Sequence, residues 1–280
     1  MTDRLPIRKT YKLFIGGAFV RSESGRYDRI EGGSGAAAAA AVNIPRGSRK
    51  DVRDAVAAAR KSSTDWAERT AYNRGQILYR FAEALESRRA DIGAPADEVG
   101  EAVDVLVHYA GWTDKLQPVL GGINPVAAPY LSFSVPEPTG VVGLVAPDSP
   151  PLLGLVAELA PALAAGNTVV VVLSEKLPLS GLDLGEVLGI ADVPAGVVNL
   201  LSGRRAELAP VLAGHHALNA IVDASADAAL GAEIDKLAAE SVTRVRHAAP
   251  TRSYSDATAD PLSRLEALTE LKTAWHPVGA

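Results

Sequence analysis

The chain has no cysteine among its 280 residues. That absence removes disulfides, thiolate metal sites and cysteine nucleophiles together. It also lacks an uninterrupted apolar run of membrane-spanning length. Asp148, Glu158 and Glu175 fall inside its most hydrophobic stretches, and proline and glycine break the rest, so no segment reads as a membrane span. No excess of basic charge is present: 28 basic and 33 acidic residues leave a net charge of −5. This gives no electrostatic case for nucleic acid or an anionic membrane as partner. Arg4, Arg8, Lys9 and Lys12 make the first residues locally basic, but apolar residues are too scattered there for a signal peptide. A solvated arm on a cytoplasmic protein is the expectation. Several motifs are missing as well. There is no G-x-S-x-G, and no G-x-G-x-x-G or G-x-x-x-x-G-K-[ST] follows a strand-like run. His215-His216 has no third ligand at metal spacing and reads as a helix C-terminal pair, while His108 beside Tyr109 reads as structural.

What is present is a substantial core. Hydrophobic residues make up 48% of the chain, enough for one large or two modest domains. Heavy use of Ala, Val, Gly and Arg is the composition of a high-GC bacterial genome. Tyr11 to Val20 reads as a hairpin turning at Gly16-Gly17. Gly32 to Ala41 is low-complexity and reads as a loop. Ser48 and Asp51 form a capping pair ahead of an apolar stripe of Val52, Ala55, Val56 and Ala59. A second helix is expected over 71–90, and a third beyond Pro95 through Val99, Val103, Leu106 and Ala110.

From Gly140 onward the pattern alternates. Apolar runs at 140–146, 167–173, 196–202 and 218–224 read as strands, with a fifth at 242–246. Helices are expected at 151–165, 180–190, 205–213 and 226–240. Continuous apolar strands separated by helices indicate a parallel sheet buried on both faces. The expected fold class is α/β, a Rossmann-like doubly wound sheet with an N-terminal helical segment and an extended β segment. The expected organisation is a hairpin and helices over 1–117, an extended segment over 118–138, the Rossmann-like domain over 139–250, and a C-terminal helix and tail over 251–280. Asp260 and Pro261 start that last helix, with Leu262, Leu265, Leu268 and Leu271 as its apolar residues.

Several runs, in this order and spacing, resemble the aldehyde dehydrogenase superfamily. They are KLFIGGAFV, SRKDVRDAVAAAR, Tyr109-Ala110-Gly111-Trp112, EPTGVVGLVAP, LAPALAAGNTVV, SEKLPLS and PAGVVNLLSG, covering nearly all of residues 10–250. The resemblance implies the cofactor-binding half of that family, with Pro147, Ser174, Glu175 and Gly203 at cofactor-binding positions. It also implies departures. Ser149 stands where the family has the Asn that stabilises an oxyanion, a donor worth roughly 3 kcal/mol. Val172-Leu173-Ser174-Glu175 keeps the ribose-binding Glu but not its Lys. Ala224-Ser225-Ala226 replaces a Thr-Gly-Ser that approaches the pyrophosphate. Arg246 to Pro250 matches the stretch carrying the family's general base, without the Glu.

Three functions follow from the resemblance. The first is a non-catalytic structural or regulatory subunit of a full-length aldehyde dehydrogenase, similar to the silent second module of two-module members. The second is an NAD(P)-dependent aldehyde dehydrogenase active only within a complex. The third is a degraded nucleotide-binding module. No catalytic residue and no metal are assigned, and NAD or NADP is expected to bind weakly if at all. The expected partner is a full-length aldehyde dehydrogenase or a second copy. Tyr130 to Val135 resembles the family's oligomerisation strand and is expected to lack its pairing partner within the chain.

Overall fold

A computed structural model describes residues 9–30, 41–248, 254, 258 and 260–278. The start of the basic arm, nearly all of the Gly32–Ala41 run, and Ala249-Pro250 lie outside the described residues. The chain opens with the hairpin of β1 (Leu13–Ile15) and β2 (Ala18–Val20). Gly16 and Gly17 take φ of 61° and 78°, the positive values that a tight hairpin turn demands. Strands β3 (Tyr27–Ile30) and β4 (Val42–Pro45) pair antiparallel as a separate ribbon that the sequence reading did not anticipate.

Three helices follow: α1 (Arg49–Ala67), α2 (Ala71–Ser87) and α3 (Ala96–Ala110). The capping box of α1 forms as read. Ser48 Oγ accepts from the Asp51 amide at 3.3 Å, and Asp51 Oδ2 accepts from the Ser48 amide at 2.8 Å. The stripe Val52, Ala55, Val56 and Ala59 is fully buried. His108 has a structural place on α3. Its Nε2 accepts from Trp112 Nε1 at 3.0 Å, and burial keeps its pKa below the ordinary value, the neutral state an acceptor needs.

A short helix α4 (Leu116–Leu120) leads to β5 (Gly122–Asn124) and β6 (Tyr130–Pro138). Then the alternating unit begins: β7 (Val141–Val145), α5 (Pro151–Ala164), β8 (Thr168–Val172), α6 (Leu179–Ile190), β9 (Val198–Leu201), α7 (Arg205–Ala213), β10 (Ala220–Asp223), α8 (Ala228–Glu240) and β11 (Arg244–His247). The sheet order is β11-β10-β7-β8-β9-β1-β2, with β11 through β9 parallel and the hairpin added antiparallel at one edge. This is the doubly wound arrangement that the continuous apolar runs called for. Val142, Leu144, Val169 and Val171 face a core shared with α2, α3, α5 and α6. Val141, Val145, Val170 and Val172 face a second core against α1, α7 and α8. Asn167 and Asn199 lock the sheet's ends. Asn167 Oδ1 accepts from the Gly140 amide at 2.8 Å, and Asn199 Oδ1 from the Gly16 amide at 2.8 Å.

The last segment corrects the sequence reading. Asp260 does cap α9 (Pro261–Glu266), accepting from the Ser263 amide at 3.2 Å. The helix ends there, however, and β12 (Thr269–Pro277) follows. It pairs antiparallel with β6 along its whole length, from Thr269↔Pro138 to Pro277↔Tyr130. Strand β6 is therefore the centre of a β12-β6-β5 sheet, not an unpaired strand. The physical reason is that Thr269, Leu271, Thr273 and Trp275 alternate at period two, and the free edge of β6 satisfies the backbone groups of the segment that carries them. Leu271 is consequently exposed on a strand, while Leu265 and Leu268 are buried.

The segment is anchored by charge as well. Glu158 of α5 is buried, contacts Arg246 of β11, and lies 3.9 Å from Arg264 of α9, whose Nη1 donates to the Ala157 carbonyl at 2.8 Å. Among the described residues, no helix is long and apolar enough to cross a membrane.

Candidate functional site

Chain order reverses between β7 and β10, so the crevice beyond the carboxyl ends of these strands is where a doubly wound sheet takes its ligand. Four helices start at this end of the sheet. A helix N-terminus presents unpaired N–H groups and a partial positive charge, which makes it a natural anion seat. Here each seat is already filled or buried.

At α5, Glu98 reaches over from α3, and its Oε1 accepts from the amides of Leu152 at 2.7 Å and Leu153 at 3.0 Å. At α7, Glu175 Oε2 accepts from the Arg205 amide at 2.9 Å. At α8, Asp227 is the N-cap, accepting from Ala229 at 3.0 Å and Leu230 at 3.1 Å. The start of α6 is enclosed, with Leu179 and Ser180 both buried.

The positive charge of the crevice is likewise spent internally. Arg205 is buried, and its Nη2 donates to the Ala146 carbonyl at the end of β7 and pairs with Asp148 Oδ1 at 2.8 Å. Asp148 also meets Lys176 Nζ at 3.2 Å and accepts from Ser174 Oγ at 2.7 Å. Burial alone would raise the Asp148 pKa. The Ser174 hydrogen bond, the Arg205 charge and Lys176 together outweigh it, and the carboxyl sits below its ordinary value.

Beside α8 lies a cavity of about 330 Å³ lined by Asp223, Asp227, Asp235 and His247 among others. His247 Nδ1 is 3.2 Å from Asp223 and Nε2 is 2.9 Å from Asp235. Burial opposes charge on this ring, but the hydrogen bond and charge of Asp235, then those of Asp223, raise its pKa above the ordinary histidine value.

The residues singled out from sequence separate under this geometry. Ser174 and Glu175 do reach the crevice, but Ser174 bonds Asp148 and also accepts from the Leu177 amide at 2.9 Å, while Glu175 caps α7. Pro147 is buried two residues past the end of β7. Ser149 is exposed on the loop before α5. Gly203 has φ of 147°, and a Cβ there would stand 3.0 Å from the Gly47 amide nitrogen, so its conformation and packing both require glycine. His215 turns its Nδ1 to the Ala217 amide at 3.2 Å. Among the described residues, no group of three His, Asp or Glu side chains could hold a metal ion.

Glu98, Asp148, Arg205 and Asp227 were missed by the sequence reading. Asp227 had a visible signal, an Asp immediately before a helical run. Glu98 and Arg205 had none, because their partners are distant in the chain.

The profile of the aldehyde dehydrogenase family matches residues 19–250. DhaS of Bacillus subtilis (strain 168) is 31% identical over 263 residues, a match covering 88% of this chain and 52% of DhaS. Retinal dehydrogenase 2 of Mus musculus is 32% identical over 236 residues, covering 79% of this chain and 44% of its own length. Among solved structures, the NAD+ complex of an aldehyde dehydrogenase from Bacillus cereus superposes with a TM-score of 0.77 at 28% identity, covering 85% of this chain and 50% of that one. The chain spans about half the length of the relatives it matches, or less.

Proposed function

The chain belongs to the aldehyde dehydrogenase family, and on that premise we propose that it is a non-catalytic member acting as a structural or regulatory subunit. The observation that carries this reading is the self-filled crevice. Glu98, Glu175 and Asp227 occupy three helix N-termini at the ligand end of the sheet, and Arg205 is tied to Asp148.

These residues do not fit a dinucleotide. A pyrophosphate brought to α8 would meet the Asp227 carboxylate. Two like charges about 4 Å apart repel by roughly 4 kcal/mol at an effective dielectric of about 20. The favourable helix-terminus interaction is only about 0.3–1 kcal/mol, up to ~2 when partly buried, so repulsion wins. The neighbouring cavity adds Asp223 and Asp235 to the same side of the balance. Val172 has no polar group to offer a ribose, and the side chain of Ser225 keeps a pyrophosphate from the close approach that a glycine permits. Forgoing those two interactions should weaken binding by about 2–4 kcal/mol more, which moves a micromolar site toward millimolar.

Catalysis by this chain is disfavoured on separate grounds. Aldehyde oxidation through a covalent thioester needs a thiolate nucleophile and a base. The chain has no cysteine, and His247 is held between two carboxylates. The functional consequence is a subunit that acts through association, with a full-length aldehyde dehydrogenase or a second copy as partner.

Calorimetric titration of the purified chain with NAD and NADP tests the cofactor reading: no low-micromolar binding is expected, and finding it would overturn the closed crevice. NADH production from a panel of simple aldehydes by the chain alone would overturn the non-catalytic reading. Copurification of a full-length family member is the expected mark of a subunit.

A further inference from the structure

The β12-β6-β5 sheet ends on an open edge. Strand β12 is nine residues long, Glu270 to Pro277 are all exposed, and no other described strand pairs with its outer side. A long exposed edge of this kind is a template for pairing with another chain. Its hydrogen-bonding phase can be read from the register with β6. The Val278 amide donates to the Pro129 carbonyl at 2.9 Å, and the Thr139 amide to the Leu268 carbonyl at 3.3 Å. The even-numbered residues of β12 therefore turn their backbone groups toward β6. The odd-numbered residues Thr269, Leu271, Thr273, Trp275 and Pro277 turn theirs outward, with the Thr269 carbonyl already accepting from Arg244 Nη1 at 2.9 Å.

We propose that β12 pairs antiparallel with β12 of a second copy across a two-fold axis at Thr273, fusing two three-stranded sheets into one of six strands. This goes beyond the subunit reading and does not depend on it, because it requires nothing of the crevice.

The sequence of β12 selects this register. With Thr273 opposite its own symmetry mate, Leu271 faces Trp275, Thr269 faces Pro277, Glu270 faces His276, and Lys272 faces Ala274. All nine residues overlap. Every outward N–H finds a carbonyl, about eight hydrogen bonds in all. Pro277 lacks an N–H but still accepts from Thr269. Leu271 and Trp275, 59% and 60% exposed in the single chain, cover one another in both halves. Thr273 already bonds Ser134 of β6 at 2.8 Å, so two threonines at the axis continue a ladder of hydroxyls. Neighbouring registers are worse. A shift of one residue toward the N-terminus sets Lys272 against Lys272, and a shift of one toward the C-terminus sets Lys272 against His276. A second copy is thus favoured over an unrelated strand, because the complementarity is internal to this one segment.

The absence of cysteine gives a clean background for the test. Residues facing themselves in a hydrogen-bonded antiparallel pair have Cα atoms about 5.5 Å apart, inside the roughly 4.4–6.8 Å that a disulfide spans. Oxidised Thr273→Cys full chain should form a covalent dimer. Glu270→Cys should not, because position 270 of the second copy would lie six residues, ~20 Å, along the strand. Sedimentation of the unmodified chain should show a dimer. Thr273→Pro should be monomeric; it removes the outward N–H together with the hydroxyl that bonds Ser134, and an unchanged circular dichroism spectrum is the control that the strand stays folded. An unmodified chain that stays monomeric at ~100 µM, on the micromolar scale where weak pairs still associate, overturns the proposal. So does equal cross-linking at 270 and 273, or a monomer that associates only with a full-length aldehyde dehydrogenase. If Thr273→Pro fails to fold, the two cysteine variants still decide.

Discussion

The two sheets of this molecule contrast in what their side chains are for. In the large sheet, β7, β8, β9 and β10 are buried at every position, with valine and leucine packed against helices on both faces. In the small sheet, eight of the nine residues of β12 are exposed, and Ile123 of β5 is 76% exposed. A chain that spends its apolar residues so fully inside one sheet and leaves them on the surface of another separates stability from association. The first sheet holds the fold; the second leaves the outer edge of β12 unpaired by any described strand.

The strongest way to test this division is to cut into the large core. Leu159 of α5 is fully buried in the larger core, and Leu159→Ala should cost about 2–5 kcal/mol in urea denaturation. A loss no larger than that of a small-sheet variant would erase the contrast.

The crevice should show the next largest effect. Asp148→Asn removes a carboxylate that serves Arg205, Lys176 and Ser174, and should cost about 1–3 kcal/mol at neutral pH. The folded-state pKa of Asp148 lies below the ordinary carboxyl value of about 3.9. Its contribution is therefore fully present above that value and is lost as pH falls through the lower folded-state value. The difference between the two proteins should hold steady from about pH 7 to pH 5 and close only in strong acid. A gap that closes by pH 5 would mean that the carboxyl is not held down by these partners.

A smaller effect, of opposite sign, is expected at the mouth of α8. Ala226 has φ of 57°, in the left-handed region that costs an L-residue about 1–2 kcal/mol. Ala226→Gly should raise stability by about 1 kcal/mol without opening the crevice, because Asp227 remains on the helix. Smallest of all, Leu271→Ala on the exposed face of β12 should change monomer stability by less than about 0.5 kcal/mol. If it destabilises the folded chain by several times that amount, the small sheet belongs to the core after all.

Local pattern carried the large sheet well. Each buried strand is a short run of valine, isoleucine and leucine bounded by glycine, asparagine or a turn, so burial on both faces is visible in one dimension. The Ser48–Asp51 cap and the Gly16-Gly17 turn are equally local. The C-terminal strand was misread for a related reason. Leucines at 262, 265 and 268 fit a helical spacing, and the competing alternation of Leu271, Thr273 and Trp275 gains its energy only when β6 lies beside it. The β3-β4 ribbon was missed because its two strands are only four residues each and carry no clear apolar alternation.

The crevice was the least legible part. Ser174 and Glu175 could be placed at it through family resemblance, but not their bonds to Asp148 and to the α7 amide. Glu98 lies 54 residues from the amide of Leu152 that it caps, and Arg205 59 residues from the carbonyl of Ala146. No periodicity or spacing rule reaches across such separations. By itself, the sequence determined that this chain cannot supply a thiolate, that its second half is a parallel α/β sheet, and where α1 is capped, because composition, burial pattern and the Ser48–Asp51 capping pair are local properties. Only the tertiary structure decided that carboxylates from distant segments sit on the helix N-termini, and that the last nine-residue strand closes one edge of β6 while opening another. Electrostatic pairing and edge hydrogen bonding depend on which segments the fold brings together, not on which residues are neighbours in the chain.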